Sequence, residues 1–465
     1  MSRSALIIGS GPNGLSAAIV LAQAGWQTEV HEASSRVGGA ASSAPLTLPG
    51  FVHDVGSAVH PFAAASPFFE SLPLDVRWIH SPVPLAHPLD DGTAVLLHRD
   101  IAETARGLGR DAAAWRKLLE PLVRHWEIYR HELLKPIGRT RHPFHMARLG
   151  LNAAWPANAL AVSRFHHPRA QALFTGLAAH YPFLDAPFSA GFGLVLGAAA
   201  HAVGWPIPEG GAQSIANSLS TSLTSLSGRI VTGSRIDTWD GGYDLAMADT
   251  SPRALARIAG DRLPESFRRT LTSYRHGPGA FKMDWALREP IPWRAKECAL
   301  AATVHVGGTA PEIRLSERAA TAGQVKNAPF ILLSQPTLFD PSRAPAGRHI
   351  AWAYCHTPHG SLEDRTTHIE NRIERFAPGF RECILARHVA GPHELELTNA
   401  NLVGGDAIGG MSDFWQMLLR PSWRAYRTPN PRLYLCSAST PPGAGVHGMC
   451  GYHAARHALR RLGPG

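Results

Sequence analysis

Lysine is scarce in this 465-residue chain: only five of the 45 basic residues are Lys and the rest are Arg. No dense basic run and no zinc-finger spacing occurs, so the net charge of +9 carries no nucleic-acid signature, and no nucleic acid is expected as a partner. The positive excess favours at most a weak pull towards an acidic membrane surface, a peripheral contact. Cysteine is sparse too. Cys298, Cys355, Cys383, Cys436 and Cys450 are odd in number and form no CxxC pair. That pattern excludes a disulfide scaffold, a zinc site and a dithiol redox centre, and it fits a reducing cytoplasm. No metal is expected. Long apolar runs are also missing. The best, Ala190 to Gly204, is interrupted by His201 and falls short of the roughly 18 residues a membrane span needs. The opening residues enter a strand at once, which leaves no room for a signal peptide. There is no internal repeat, and 45% hydrophobic residues over this length suffice for two or three packed domains.

The most informative stretch comes first. Ala5 to Ile8 is apolar and strand-like, and Gly9-Ser10-Gly11-Pro12-Asn13-Gly14 follows. Leu15, Ala18, Ile19 and Leu21 then recur at helical spacing, Gly25 ends the helix, and Gln27 to His31 reads as a second strand closed by Glu32. This is a βαβ unit with glycines at its first turn. Gly9 permits the tight turn, Gly11 removes the side chain that would block a pyrophosphate, and Gly14 lets helix and strand pack closely. Pro12 and Asn13 stand at a helix N-terminus whose free N–H groups favour phosphate. Glu32 stands where a carboxylate accepts hydrogen bonds from ribose hydroxyls. A second glycine-rich run, Gly191 to Gly197, lacks the flanking strands and reads as a small-residue helix, so no second nucleotide domain is evident.

After Glu32-Ala33 come Arg36, then Gly38-Gly39-Ala40. Arg36 can pair with a pyrophosphate or ribose, and the glycine pair lets backbone approach a cofactor. Near the C-terminus, Leu433 to Cys436 reads as a strand, Pro441 to Gly445 as a turn, and a helix starts near Gly448 and runs to Leu459. Together these segments resemble the FAD-binding oxidoreductases of the amine oxidase and phytoene desaturase superfamily. The branch they resemble most is that named for pyridine nucleotide-disulfide oxidoreductase domain-containing protein 2. The resemblance implies non-covalent FAD and a mixed α/β fold: a Rossmann-like FAD-binding domain of the second glutathione-reductase type, with a discontinuous sheet-plus-helices substrate domain. It assigns residues 1–75, 205–260 and 405–465 to the cofactor domain, and 76–204 and 261–404 to the substrate domain. It places Gly56 and Ser57 in the loop following the glycine pair, Val231 beside the adenine through its backbone, and Gly443, Gly445, Val446 and His447 against the flavin ring. In the substrate domain, Asp111 to Leu134 keeps one helical period, and Ala301 to Val306 and Phe330 to Ser334 read as strands.

Lys282, in Phe281-Lys282-Met283-Asp284-Trp285, is similar in context to the amine oxidase lysine that holds a water at flavin N5. It is the candidate catalytic residue, with His447 beside the expected ring. A plain alternative pairs Lys282 with Asp284. His53 and Asp54 are expected to order the neighbouring loop. The function so implied is hydride removal from an apolar small molecule, with reoxidation by O2 or a quinone. Oxidation of an amine or amino acid is the alternative, with Trp423, Arg424 and Tyr426 as candidate substrate contacts. A non-enzymatic prenyl- or lipid-binding role is the third.

Overall fold

A computed structural model describes residues 3–411, 413, 415–416 and 419–465. The first of its two large sheets is parallel throughout, in the order Leu433–Leu435, Leu245–Ala248, Ser4–Ile8, Gln27–His31, Arg229–Val231. Ser4–Ile8 takes the centre because its residues are apolar on both sides. Ala5 and Ile7 meet the helices Pro12–Gln23, Gln213–Ser225 and Met449–Leu462. Leu6 and Ile8 meet Pro252–Ala259 and Glu265–Thr272 on the other face. A strand covered on both faces needs such an unbroken apolar run.

From this centre the chain builds outwards to Gln27–His31 and Arg229–Val231, then crosses back to Leu245–Ala248 on the opposite side. Strand order therefore reverses between Ser4–Ile8 and Leu245–Ala248. A doubly wound sheet opens its ligand crevice at the carboxyl ends of the strands that flank such a reversal. Gly9 and Asp249 are the first residues beyond those two ends.

The second sheet has seven strands, ordered Ile384–Ala390, Gly279–Leu287, His349–Thr357, Ile331–Ser334, Ala301–Val306, Val83–Pro88, Ala94–Leu97. Ala301–Val306 and Val83–Pro88 pair in parallel and the other neighbours are antiparallel. Phe281, Met283, Trp285, Ala351, Ala353 and Cys355 face a core that includes Ile369 and Ile373 of helix Thr366–Phe376. The opposite face is roofed by helices Ala112–Arg124, Pro168–Ala178 and Ala190–Ala202. There, Trp352, Tyr354 and His356 are only half-buried, although their strand is an interior one and the residues between them are buried. Successive side chains alternate between faces. The face under the helical roof is therefore not closely packed beside these three side chains, and that gap is the chamber.

Two expectations are corrected. The single helix read from Asp111 to Leu134 is two, Ala112–Arg124 and Trp126–Leu133, with a turn at His125. Asp111 stays outside both and its carboxylate accepts the N–H groups of His166 and His167 at 2.9 and 2.7 Å. The final helix starts one residue after Gly448 and continues to Leu462. The Gly191–Gly197 run lies inside helix Ala190–Ala202. A Cβ on Gly193 would come within 3.1 Å of Phe174 and 3.2 Å of Ala178, so its glycines serve close helix packing. No described helix is long and apolar enough to cross a membrane.

Candidate cofactor and substrate site

The Gly9–Gly14 turn fills the crevice. A Cβ on Gly9, whose φ is +99°, would come within 2.9 Å of the Asp249 carbonyl oxygen. On Gly11 it would lie 2.7 Å from Asp249 Oδ2, and on Gly14 it would run into the Gly9 carbonyl. Pro12 opens the helix, where its missing N–H is no loss. Asn13 is 6% exposed and its Oδ1 has no hydrogen-bond partner. The free N–H groups of this helix N-terminus, rather than that acceptor oxygen, are what would meet an anion.

Glu32 is buried at the end of the second strand. Its Oε2 accepts from Ser10 N and Ser10 Oγ at 2.8 and 2.7 Å, and its Oε1 accepts from Ser34 N at 2.9 Å. Asp249 Oδ2 accepts the Gly14 N–H at 2.9 Å. Burial raises the Asp249 pKa from 3.8 to about 7; the Gly14 bond opposes this and the Glu32 charge adds to it. A carboxyl that is about half protonated near pH 7 lessens the repulsion a diphosphate would otherwise meet. The glycine turn, the helix N-terminus it opens and this weakened acid together fit a dinucleotide pyrophosphate.

The second loop lies against the first. Gly38 N–H donates to Ser10 O at 3.1 Å, and a Cβ on Gly39 would be 3.4 Å from Gly11 Cα. Gly56 packs on the Ala40 carbonyl so closely that any Cβ would clash, and Ser57 Oγ is buried without a partner. Arg36 is exposed and donates to Ser43 O at 2.9 Å, within its own loop. Ala33 is exposed as well. The Val231 carbonyl accepts the Glu32 N–H at 2.9 Å, which fixes the strand edge there.

The C-terminal segment meets the same helix. A Cβ on Gly451 would strike the Asn13 carbonyl, and one on Gly448 the Ser16 hydroxyl, so the last helix seats directly on the first. Gly443 and Gly445 adopt φ values of +115° and +136°, and Val446 is half-buried against the core of the parallel sheet. His447 is corrected. It is 1% exposed, its Nδ1 accepts the Met449 N–H at 3.0 Å and its carbonyl accepts from Ser66 Oγ at 2.7 Å. Burial lowers its pKa to about 4, so it is a neutral cap on the last helix rather than a group presented for reaction.

Lys282 is 3% exposed on the chamber face of Gly279–Leu287 and is ion-paired with Asp284. Its Nζ lies 5.9 Å from the Trp352 ring centre. Asp284 also faces His388 Nδ1 at 3.3 Å and His53 Nδ1 at 3.7 Å. Burial pushes the Asp284 carboxyl up, but the Lys282 charge, the His388 hydrogen bond and His53 outweigh it and leave the pKa below the ordinary value. His53 is lowered to about 4 by burial, and so is His60, whose two ring nitrogens are buried without partners. Asp54 is a structural hub: it accepts from Arg343 at 3.0 Å, Ser43 at 2.8 Å and Ala212 N at 2.8 Å. The second loop is thereby tied to the sheet insertion. Tyr426 is buried with its hydroxyl on the Pro441 carbonyl at 2.8 Å, whereas Trp423 is 70% exposed, and neither lines the chamber wall described here.

Two features escaped the sequence. Asp249 is an unremarked acid until the strand reversal brings it to the glycine turn. A row of polar groups also crosses the second sheet, because register aligns Thr303 with Ser334, Ser334 with Trp352, and Trp352 with Asp284. Thr303 Oγ1, Ser334 Oγ, Trp352 Nε1 and Asp284 Oδ1 are all buried without hydrogen-bond partners. Their even spacing on separate strands gave no signal. Among the described residues no group of three or more His, Cys, Asp or Glu is placed to hold a metal ion.

Comparison with known proteins agrees with this architecture. A profile for NAD(P)-binding Rossmann-like domains matches residues 7–72. Pyridine nucleotide-disulfide oxidoreductase domain-containing protein 2 of Mus musculus is 32% identical over 157 residues, and the Rattus norvegicus protein likewise. The match covers 31% of this chain and spans 27% of the relatives' length. Among solved structures, an oxidoreductase from Methanosarcina mazei superposes with a TM-score of 0.68 at 15% identity, covering 98% of this chain and 100% of that one. Putrescine oxidase bound to putrescine gives 0.64 at 16%, covering 99% of each chain. Cyclohexylamine oxidase from Brevibacterium oxydans gives 0.61 at 14%, covering 99% of this chain and all (100%) of that one. At such identities the likeness speaks for fold: the chain has a mixed α/β architecture with a Rossmann-like dinucleotide-binding domain, shared over nearly its whole length with amine oxidases.

Proposed function

We propose that this protein is an FAD-dependent oxidoreductase acting on a small molecule. The observation that carries the reading is the meeting of the Gly9–Gly14 turn and the Gly443–Gly448 turn, more than 400 residues apart in sequence, on one helix N-terminus at the strand reversal. FAD, when bound, supplies a hydride acceptor at carbon-oxidising potential. The chain's own residues do the rest. Gly11, Asn13, Gly39 and Asp249 receive the diphosphate; Glu32 orders the first turn and keeps acceptor capacity at Oε1. The helices roof the chamber, and Lys282 lies beside it, ion-paired with Asp284.

The sequence pointed to an apolar substrate, in the manner of desaturases, with O2 or a quinone as electron acceptor. The half-buried aromatic side chains of the chamber face favour the alternative, a substrate oxidised at the carbon bearing an amine or hydroxyl. Trp352 and Tyr354, with ring centres 5.3 Å apart, supply an aromatic surface beside the row that suits a cationic or ring-bearing group.

The test is the visible spectrum of purified protein, followed by denaturation and identification of released flavin. Bands near ~375 and ~450 nm with FAD in the supernatant are expected. Anaerobic bleaching by amines or alcohols, and not by polyenes, is the expected second result. A colourless protein that takes up no added FAD overturns the proposal and supports the lipid-binding alternative.

A further inference from the structure

Residues 133–184 contain no acidic residue at all, yet they carry Lys135, Arg139, Arg141, Arg148, Arg164 and Arg169. Elsewhere some surface arginines are matched by acids, as in Arg116 with Glu120, Arg268 with Asp261 and Arg375 with Asp90. Arg139, Arg141, Arg148 and Arg164 have no acidic partner within 4.0 Å among the described residues. The same segment holds the helix Pro143–Ala153, which is apolar on two sides. Leu149 is buried in the helical core, with Met146 and Ala153 packed against it. Phe144 and Leu151, on the opposite face, are 89% and 75% exposed. Trp155, one turn further, is 43% exposed, Ile137 just before the helix 64%, and Val162 on the next helix 60%.

A surface helix needs one apolar stripe to hold it in place, and the inner stripe does that. No element among the described residues covers the outer one. Phe144, Arg148, Leu151 and Trp155 recur at three to four residues, so cations and apolar groups share one face. Interfacial helices present that combination to anionic lipid: apolar side chains enter the acyl boundary, arginines meet the headgroups, and tryptophan sits between. The charge decides the occupant. A second copy of this chain would bring the unpaired Arg139, Arg141, Arg148 and Arg164 against the same four, whereas a phosphate-bearing surface complements them.

We propose that this face docks peripherally on an anionic lipid surface, with Phe144, Leu151 and Trp155 inserted and Arg139, Arg141 and Arg148 on headgroup phosphates. The proposal is independent of the cofactor reading. Helix Pro143–Ala153 packs on Ala190–Ala202, part of the chamber roof, so docking would set that roof against the lipid.

The experiment is sedimentation of full-length protein with vesicles of phosphatidylcholine alone or with about one third phosphatidylglycerol, at low and high salt. Binding to the anionic vesicles only, weakened by salt, is expected. Arg139→Gln with Arg141→Gln should weaken partitioning by about fivefold per charge removed. Phe144→Ser with Leu151→Ser should reduce it at least tenfold and leave the melting temperature unchanged, since both side chains are outside the core. Equal binding to neutral vesicles, no binding to either, or full binding by both double variants overturns the proposal. So does a concentration-dependent dimer that Phe144→Ser with Leu151→Ser abolishes, which would identify the face as a contact between copies.

Discussion

Replacing Asp249 by asparagine tests the most unusual feature of the crevice. In the folded protein the carboxyl prefers to be neutral, with a pKa raised from 3.8 to about 7, chiefly by burial. In the unfolded chain it ionises near the ordinary value. Below about pH 3.8 both states hold the proton and the group has no effect on stability. Between there and pH 7 the unfolded state has released its proton and the folded state has not, so stability falls as pH rises and levels off above 7. The difference of about 3 pH units corresponds to about 4 kcal/mol at most. At 465 residues the unfolding entropy is about 1 kcal/mol/K, which makes the effect about 4 °C in Tm. Asparagine keeps an acceptor for the Gly14 N–H and has no proton to lose. The assay is thermal unfolding of flavin-free protein from pH 4 to 8. Wild type and Asp249→Asn should melt together at pH 4, and the variant should melt higher by about 4 °C at pH 8. Other titrating groups tilt both curves equally, so the difference between the curves is the readout. Parallel curves would refute the reasoning, because they would mean that Asp249 is already ionised and paired in the folded state.

Gly11→Val places a branched side chain against Asp249 Oδ2, where Cβ alone would be 2.7 Å away, and into the space assigned to the pyrophosphate. It should purify without flavin, and a full yellow complement would remove that assignment. Lys282→Met leaves Asp284 buried beside two histidines with no permanent cation, which should destabilise by about 3–5 kcal/mol in denaturant unfolding. Adding Asp284→Asn should recover most of that loss. If the double variant also oxidises substrate and reoxidises at the wild-type rate, Lys282 serves the fold alone.

The first βαβ unit was legible because its pattern is local. Strand, glycine turn, helix and second strand lie within residues 4–31, and Gly14 is required by the Gly9 carbonyl in the same turn, although Gly9 and Gly11 are required by the distant Asp249. The fold class followed from that unit together with the matching C-terminal strand and helix. The break at His125 was not legible, since Trp115, Leu119, Leu122 and Trp126 keep one helical period through it and periodicity does not register a local turn. His447 misled for a related reason. Its position after a glycine turn matched a ring-facing residue, but only the packed structure shows its Nδ1 committed to the Met449 N–H.

What lay outside the reach of the sequence was polar and long-range. Asp249 and Gly14 are 235 residues apart, and the strand reversal alone brings them together. The row from Thr303 to Asp284 depends on the register of four strands, and shifting any one of them by a single residue would turn its member to the other face. Periodicity marks these positions only as the face opposite the apolar one; it does not say whether that face meets water or a roof of helices. Burial decides it. An exposed row of Thr, Ser, Trp and Asp would be an ordinary solvated surface, whereas here the four polar atoms are enclosed, so the row belongs to the packed interior beneath the helices.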